Sequence, residues 1–495
     1  MTALRMPSLR ALLLGAAALP FLSGCMVGPN YHRPSAIISP HFKEVPPPAG
    51  WNKAQPDLAL MPKGDWWTIF NDPLLNDLEE RVATSNQSLK EYEAQYRKAA
   101  ATIDSIKASL YPTLSGDFSF NRNSASKVTS NTWATGPSAS WTVDVWGKIR
   151  RQIQEQVAAT QGDAALVASM RLSYQLTLAQ DYFSLRYQDS LIDLYARNVG
   201  LYRDNLKILQ NQLEAGVADP TSVFQAKYLL QSTEASLANA HVARAQYEHA
   251  IAVLTGRAPA DVTIAPALLP KTIPAAPVAL PSMILERRPD VAQAERNMEA
   301  YNAEIGYAIG AFFPEITLSA SYGYSGNPLQ QLIQTATRTW SLGAAATETI
   351  FQGGARTAAV REAEADYDNA VATYRQTVLA AMQDTEDQMS NLHYLEQQLT
   401  LQNQAVESAQ AAVRVSMNEY LAGTQIYTTV ITAQQTALQY EQTQLSIRQQ
   451  QFNSEVALLT DLGGGWSTKD LPTKASLQTD NPLLPSFIQK DKNGR

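Results

Sequence analysis

Two apolar seams in one register constrain this chain more than any other feature. Leu178, Leu185, Ile192, Val199, Leu206 and Leu213 stand seven residues apart. Leu392, Leu399, Val406, Val413 and Tyr420 repeat the spacing, and they match Leu185 to Leu213 at an offset of 207. Other anchors recur. Tyr111-Pro112 returns as Phe313-Pro314 at an offset of 202, and at 207 Glu214-Ala215-Gly216 returns as Leu421-Ala422-Gly423 and Val223-Phe224-Gln225-Ala226 as Val430-Ile431-Thr432-Ala433. A sustained seven-residue period is the mark of long helices packed as coiled coils. Its recurrence at a fixed offset makes the protein a tandem duplication.

Each half reads as helix, hairpin, very long helix, turn, helix. The long helices are predicted over 147–215 and 354–422, each about 100 Å. Gly216 and Gly423 stop them. Asp219-Pro220 reads as a helix cap followed by proline in the first turn. Returning helices over 220–255 and 425–462 span only about 55 Å, and approaching helices over 72–110 and 289–312 about 58 and 36 Å. A returning and an approaching helix laid end to end would match one long helix. That arithmetic puts the linker 257–288, with its six prolines, midway along the helices. The Pro-rich stretch 29–62 and the tail after Gly465 are expected in the same belt.

Four short segments have a period of two. Leu114, Gly116, Phe118 and Phe120 alternate with Thr113, Ser115, Asp117 and Ser119. Ala139, Trp141, Val143 and Val145 form a second apolar set, Ile316 to Tyr324 a third, and Trp340 to Ala346 a fourth. One face is apolar with aromatics near its ends, and the other is small and polar. Strands of a water-lined membrane barrel read this way. Four strands cannot close a barrel, because known barrels need about eight and an open edge cannot sit in lipid. The chain is therefore expected to oligomerise, with outer-membrane lipid around the barrel.

The amino terminus carries Arg5, Arg10 and an apolar stretch from Ala11 to Leu22, too short to span a bilayer. It ends in Leu22-Ser23-Gly24-Cys25, and Cys25 is the only cysteine of 495 residues. The string resembles a lipoprotein signal, with cleavage before Cys25 and acylation there. Met26 in place of Asp favours the outer membrane. The net charge of −7 argues against nucleic acid as a partner. The resulting division is a leader 1–24, an anchored segment 25–71, a first repeat 72–256 with hairpin 113–146, the linker 257–288, a second repeat 289–465 with hairpin 315–350, and a tail 466–495.

Cys25-Met26-Val27-Gly28-Pro29-Asn30-Tyr31 with Pro34, Glu286-Arg287-Arg288-Pro289-Asp290 and Leu462-Gly463-Gly464-Gly465-Trp466 together resemble the TolC/OprM outer-membrane factor family, in its lipoprotein branch serving resistance-nodulation-division exporters. The resemblance implies a mainly α protein with a small β part, closing as a homotrimer with a twelve-stranded barrel and an α-helical tube. It implies a periplasmic adaptor and an inner-membrane resistance-nodulation-division transporter as partners, and passive export of drugs or other small solutes. It places the adaptor contact at the tips, Gly216-Val217 and Gly423-Thr424. In the family a basic residue and two aspartates close the entrance. Aligned on Gly423, those positions are Gln425, Thr429 and Thr432, with Thr221 and Ser222 after Gly216. Asp219 and Glu419 are the nearby acids, with Asp219 expected to cap its helix, and Tyr420 and Tyr427 can close a neutral ring by packing and hydrogen bonds.

No catalytic motif or phosphate loop is present in the sequence, and no cofactor or metal is expected. His241 and His249 are two helical turns apart, too far to share a metal. Tyr195 and Tyr202 beside the seam read as packing. A conduit for peptide or protein secretion, and a lipid-anchored coiled-coil tether without a pore, are the alternative readings.

Overall fold

The computed structural model describes residues 26–36, 39, 42–43, 65–125, 128–274, 287–473 and 476–477. The leader, Cys25 and Glu286 lie outside the described residues. The elements run α1 (Pro73–Ser85), α2 (Gln87–Ala108), β1 (Thr113–Ala125), β2 (Val128–Val143), α3 (Lys148–Glu214), α4 (Pro220–Leu254), α5 (Pro289–Gly310), β3 (Glu315–Gly326), β4 (Arg338–Thr347), α6 (Ala355–Leu421) and α7 (Tyr427–Asp461).

The duplication is closer than the sequence suggested. The long helices α3 and α6 each have 67 residues, about 100 Å. The returning helices α4 and α7 each have 35, and the approaching helices α2 and α5 each have 22. The single approaching helix expected over 72–110 is broken at Asn86. This residue takes an extended conformation, and its side chain accepts from Leu89 N at 2.9 Å to cap α2. Only α2 continues the stack. The preceding α1 packs against α3 instead, through buried Leu75, Leu78 and Val82.

The helices form a layer in which α3 packs on α4 and α2 to one side and on α7 and α5 to the other, while α6 packs on α7 and α5. Each end-on joint is fastened. At α4–α2, Asn86 Nδ2 donates to the Leu254 carbonyl at 2.9 Å. At α7–α5, Arg288 pairs with Asp290 at 2.8 Å, Asp461 at 3.3 Å and Asp384 of α6 at 3.5 Å. Burial at this joint pushes the Asp461 carboxyl up to about 7, helped by Asp384 and Asp290 and opposed by Arg288.

The four strands form one antiparallel sheet in the order β1-β2-β3-β4, with unbroken register. Leu114, Ala139, Ala320 and Leu342 fall in one row across it. The adjacent row is Ser115, Ser138, Ser321 and Ser341, with the outer pairs hydrogen-bonded at 2.9 Å. The four apolar sets read from the sequence therefore share one face. Leu114 (75% exposed) and Leu342 (76%) are uncovered on that face among the described residues. Among the described residues, the outer edges of β1 and β4 have no neighbouring strand.

The largest core sits at the waist. Trp66, Leu75 and Val82 meet Leu178, Tyr182, Phe183 and Leu185 of α3, Phe452, Val456 and Leu459 of α7, and Val262, Ile264 and Leu269 of the linker. Full burial of each such side chain contributes about 1.5–3 kcal/mol. Buried Asp189 stitches the linker down, bonding Arg244 at 2.6 Å, Arg186 at 3.1 Å and the Ala267 amide at 3.0 Å. The described part of the linker, 257–274, thus packs on this core.

The other two segments expected in the belt are described only in part. The N-terminal segment starts at the sheet, where Val27 N donates to the Trp146 carbonyl at 3.2 Å. Buried Arg151 holds the carbonyls of Val27 and Gly28, both at 2.9 Å. Gly28 and Gly306 approach so closely that a Cβ on Gly28 would lie 2.4 Å from the Gly306 Cα. The segment then descends along α5 and α6 past Glu295 and Tyr374, and reaches Met389 and Leu462 at Phe42. The tail climbs in the opposite sense. Gln161 Nε2 donates to the Pro472 carbonyl at 2.8 Å, and Leu477 is buried against Ile103 and Val157. The N-terminal segment thus reaches the joint of α7 and α5 at Phe42, while the described part of the tail lies in a groove nearer the sheet.

Candidate functional site

The two helix–helix turns lie at the end of the layer farthest from the sheet, one 67-residue helix away. They are built alike. Gly216 and Gly423 take φ of 72° and 74°, the left-handed conformation that ends a helix and that glycine adopts without penalty. Val217 N donates to the Gln212 carbonyl at 2.8 Å, and Thr424 N to the Glu419 carbonyl at 3.0 Å. These are matching closures of the last turn. Val217 is 78% exposed and presents an apolar side chain at the extremity.

Behind the turns, side chains of all four helices converge. Tyr202 and Leu209 of α3, Ala226, Leu229 and Leu230 of α4, and Tyr427, Val430 and Ile431 of α7 are buried together, with Met417 and Tyr420 of α6 packed against them. The rings of Tyr420 and Tyr427 meet edge to face at 5.0 Å. Neutral hydrogen bonds then tie α6 and α7 to α3 and α4. Tyr420 OH donates to Gln212 Oε1 at 2.7 Å, Thr428 Oγ1 to Gln225 Oε1 at 2.8 Å, and Gln435 Nε2 to Tyr228 OH at 3.2 Å. Burial raises Tyr427 to about 12, with Tyr420 adding to the shift, and burial also raises Tyr420. Both phenols therefore remain donors at neutral pH.

The residues read from sequence separate into three groups. Tyr420 and Tyr427 belong to the inter-helix cluster. Thr429 and Thr432 line a shallow groove of about 410 Å³ between α7 and α6, with Ile426 and Thr436 beside Ala409 and Ala412. Gln425, Thr221 and Glu419 are exposed and Ser222 is partly buried. Thr432 Oγ1 returns its proton to the Thr428 carbonyl at 3.0 Å, and Thr429 Oγ1 reaches Gln425 Oε1 at 3.4 Å. Asp219 corrects one expectation. It precedes α4 with extended backbone, but its side chain makes no capping bond. Pro220 removes one amide that would need a partner, and the Asp219 carbonyl itself accepts from Ser222 N at 3.1 Å. Gln212, Gln225 and Tyr228 were not singled out beforehand. Their roles depend on which helix lies opposite, and a polar residue on an exposed helical position carries no such mark.

Near the tip the four helices are thus joined by packing and uncharged hydrogen bonds, and the ion pair Arg203–Glu234 at 2.8 Å braces α3 to α4 on the exposed surface.

The profile of the family described as Outer membrane efflux protein matches residues 78–257 and 280–464. The chain is 28% identical over 462 residues to the solvent efflux pump outer membrane protein SrpC of Pseudomonas putida, covering 91% of this chain and 97% of that one. It is 26% identical over 465 residues to the probable outer membrane lipoprotein SilC of Salmonella typhimurium, with coverage of 92% and 98%. Among solved structures it resembles the outer-membrane channel OprN, with a TM-score of 0.80 and 26% identity over 89% of this chain and 100% of that chain. The Campylobacter jejuni CmeC outer membrane channel shares the fold, with a TM-score of 0.82 at 21% identity over 90% of this chain and 96% of that chain.

Proposed function

Because the chain belongs to the outer membrane efflux protein family, we propose that it is the exit duct of a tripartite pump, conducting drugs or other small solutes passively across the periplasm and outer membrane. It is an outer-membrane efflux channel, with its sheet in the membrane and its helical layer in the periplasm. One observation carries the finer reading. A four-stranded sheet with two open edges and an uncovered apolar face stands on a helical layer about 100 Å long. Copies of the chain must join β4 to β1 to remove those edges from lipid. Three copies give twelve strands, enclosing the serine face as a polar lumen and continuing into a helical tube.

A periplasmic adaptor would meet the tips at Gly216-Val217 and Gly423-Thr424, and a resistance-nodulation-division transporter would supply the energy. The entrance would be held by Tyr420, Tyr427 and their neutral partners, with Gln425, Thr429 and Thr432 in place of charges. Acylation at Cys25 is supported by the lipoprotein-like string Leu22-Ser23-Gly24-Cys25 and by the docking of Met26 and Val27 at Gly147 and Trp146, beside the start of α3.

Purified protein in a planar bilayer should conduct, and its mass should be that of three chains. Lack of conductance would favour a tether. Mass spectrometry of the mature terminus should find a diacylglyceryl cysteine. In cells, cysteines at Val217 and Thr424 should crosslink to the adaptor. Crosslinks confined to the 257–274 region would refute the tip assignment.

A further inference from the structure

The outward face of the sheet is uncharged over most of its height. From the helix end it carries Val143, Ile316 and Ala346, then Trp141, Leu318 and Ala344, then Leu114, Ala139, Ala320 and Leu342. Above these come Gly116, Pro137, Tyr322 and Trp340, and then the aromatic cluster in which Phe120 and Trp133 rings lie 4.4 Å apart. The first charges on this face are Arg122 and Arg338.

Their level follows from the stagger of the strands. Arg122 lies nine residues from Thr113, where β1 leaves the helices, and Arg338 nine residues from Thr347, where β4 returns to them. Tyr324 lies nine from Glu315 and Trp133 ten from Val143. Each strand therefore presents one interfacial side chain at a common level, in the order Arg, Trp, Tyr, Arg. Nine residues at about 3.4 Å, tilted near 40°, rise about 23 Å, the height of the apolar band of an outer-membrane barrel. Both arginines are exposed, and among the described residues neither guanidinium has a hydrogen bond or ion pair. Closing the barrel lays β4 of one copy beside β1 of the next, so Arg338 and the neighbouring copy's Arg122 come together at every subunit seam.

We propose that this arginine pair is a binding site for the phosphate of an anionic outer-leaflet lipid. The proposal rests on the closed-barrel reading above. Guanidinium groups match phosphate in charge and donor geometry. The aromatics at and below their level are placed to receive the acyl chains and interface. The occupant is a lipid, because the site faces outward at the edge of the apolar band and not into the lumen.

The test uses the full-length oligomer, stripped of lipid in detergent and then offered lipid A or phosphatase-treated lipid A, with bound lipid counted by native mass spectrometry. The parent should retain lipid A in preference to the dephosphorylated form. Arg122→Gln with Arg338→Gln should weaken retention by about fivefold for each arginine removed. Arg122→Lys with Arg338→Lys should keep part of it. If the double glutamine variant does not assemble, Arg338→Gln alone serves the comparison. Equal retention of the two lipids, unchanged retention in the glutamine variants, or displacement by millimolar inorganic phosphate would overturn the lipid site while leaving the barrel intact. A parent whose mass is that of a single chain would overturn the closed barrel and the site with it.

Discussion

Asn86 holds two helices at once: its Oδ1 accepts from Leu89 N at 2.9 Å and its Nδ2 donates to the Leu254 carbonyl at 2.9 Å. One buried amide thus starts α2 and binds the end of α4 to it. Asn86→Ala should cost about 1–2 kcal/mol for the lost cap and the orphaned carbonyl. A lowered melting temperature of the purified oligomer checks this. Asn86→Asp should keep the cap but set a carboxylate oxygen against the Leu254 carbonyl, so it too should lower the melting temperature, and less so at acidic pH where the acid can donate.

The other joint uses charge. Removing Arg288 leaves Asp290, Asp384 and Asp461 facing one another without a cation. Arg288→Met should destabilise by about 1–3 kcal/mol at neutral pH, through the loss of charge-assisted bonds in a partly exposed cluster. The deficit should shrink on acidification, since the acids then take up protons. Thermal unfolding of parent and variant between pH 5 and 8 measures it, and a pH-independent deficit would show that packing, not charge, is the main loss.

Glu155 of α3 is pushed up to about 7, by burial first and then by Glu304 of α5. An acid with a raised folded value costs nothing while both states are protonated. The penalty grows from about pH 4.5, where the unfolded chain ionises, and is complete above pH 7. Glu155→Gln should match the parent at pH 4.5 and exceed it above pH 7, by about 1 kcal/mol after allowing for partial solvent screening. Equal stability at pH 8 would contradict the shift.

Tyr420→Phe removes the bond to Gln212 but keeps the ring packed on Tyr427. Each copy loses about 1 kcal/mol from the proposed closed entrance. Mean conductance in planar bilayers should rise, while barrel stability on heating should not change. With no ring of charge at the proposed entrance, cation selectivity should be weak and multivalent cations should block little. A strong block abolished by Asp219→Asn would locate a charge ring at Asp219.

The long helices, the four strands and their faces were legible because periodic burial leaves a periodic pattern. Tyr202, read as packing beside the seam, is 2% exposed between α3 and its neighbours. The break at Asn86 had a local sign, a capping residue before an apolar helical run, but the surrounding polar residues read as continuous helix. The courses of the N-terminal segment and tail left no pattern at all. They are held partly at backbone carbonyls, by Arg151 on Val27 and Gly28 and by Gln161 on Pro472, and partly by isolated side chains such as Tyr31, Arg33 and Leu477, whose spacing has no period that would name the helix opposite. At the tip, the turns were legible from glycine and the offset of 207. The pairing of Gln212 with Tyr420 was not, because it joins opposite halves of the repeat.

The equality of the halves, 67 with 67, 35 with 35 and 22 with 22, has a consequence for stoichiometry. In the proposed trimer the tube end shows six nearly equal turns instead of three. A partner ring of either threefold or sixfold symmetry can register on it. The difference between Val217-Ala218-Asp219 and Thr424-Gln425-Ile426 then decides whether neighbouring positions are filled alike or alternately.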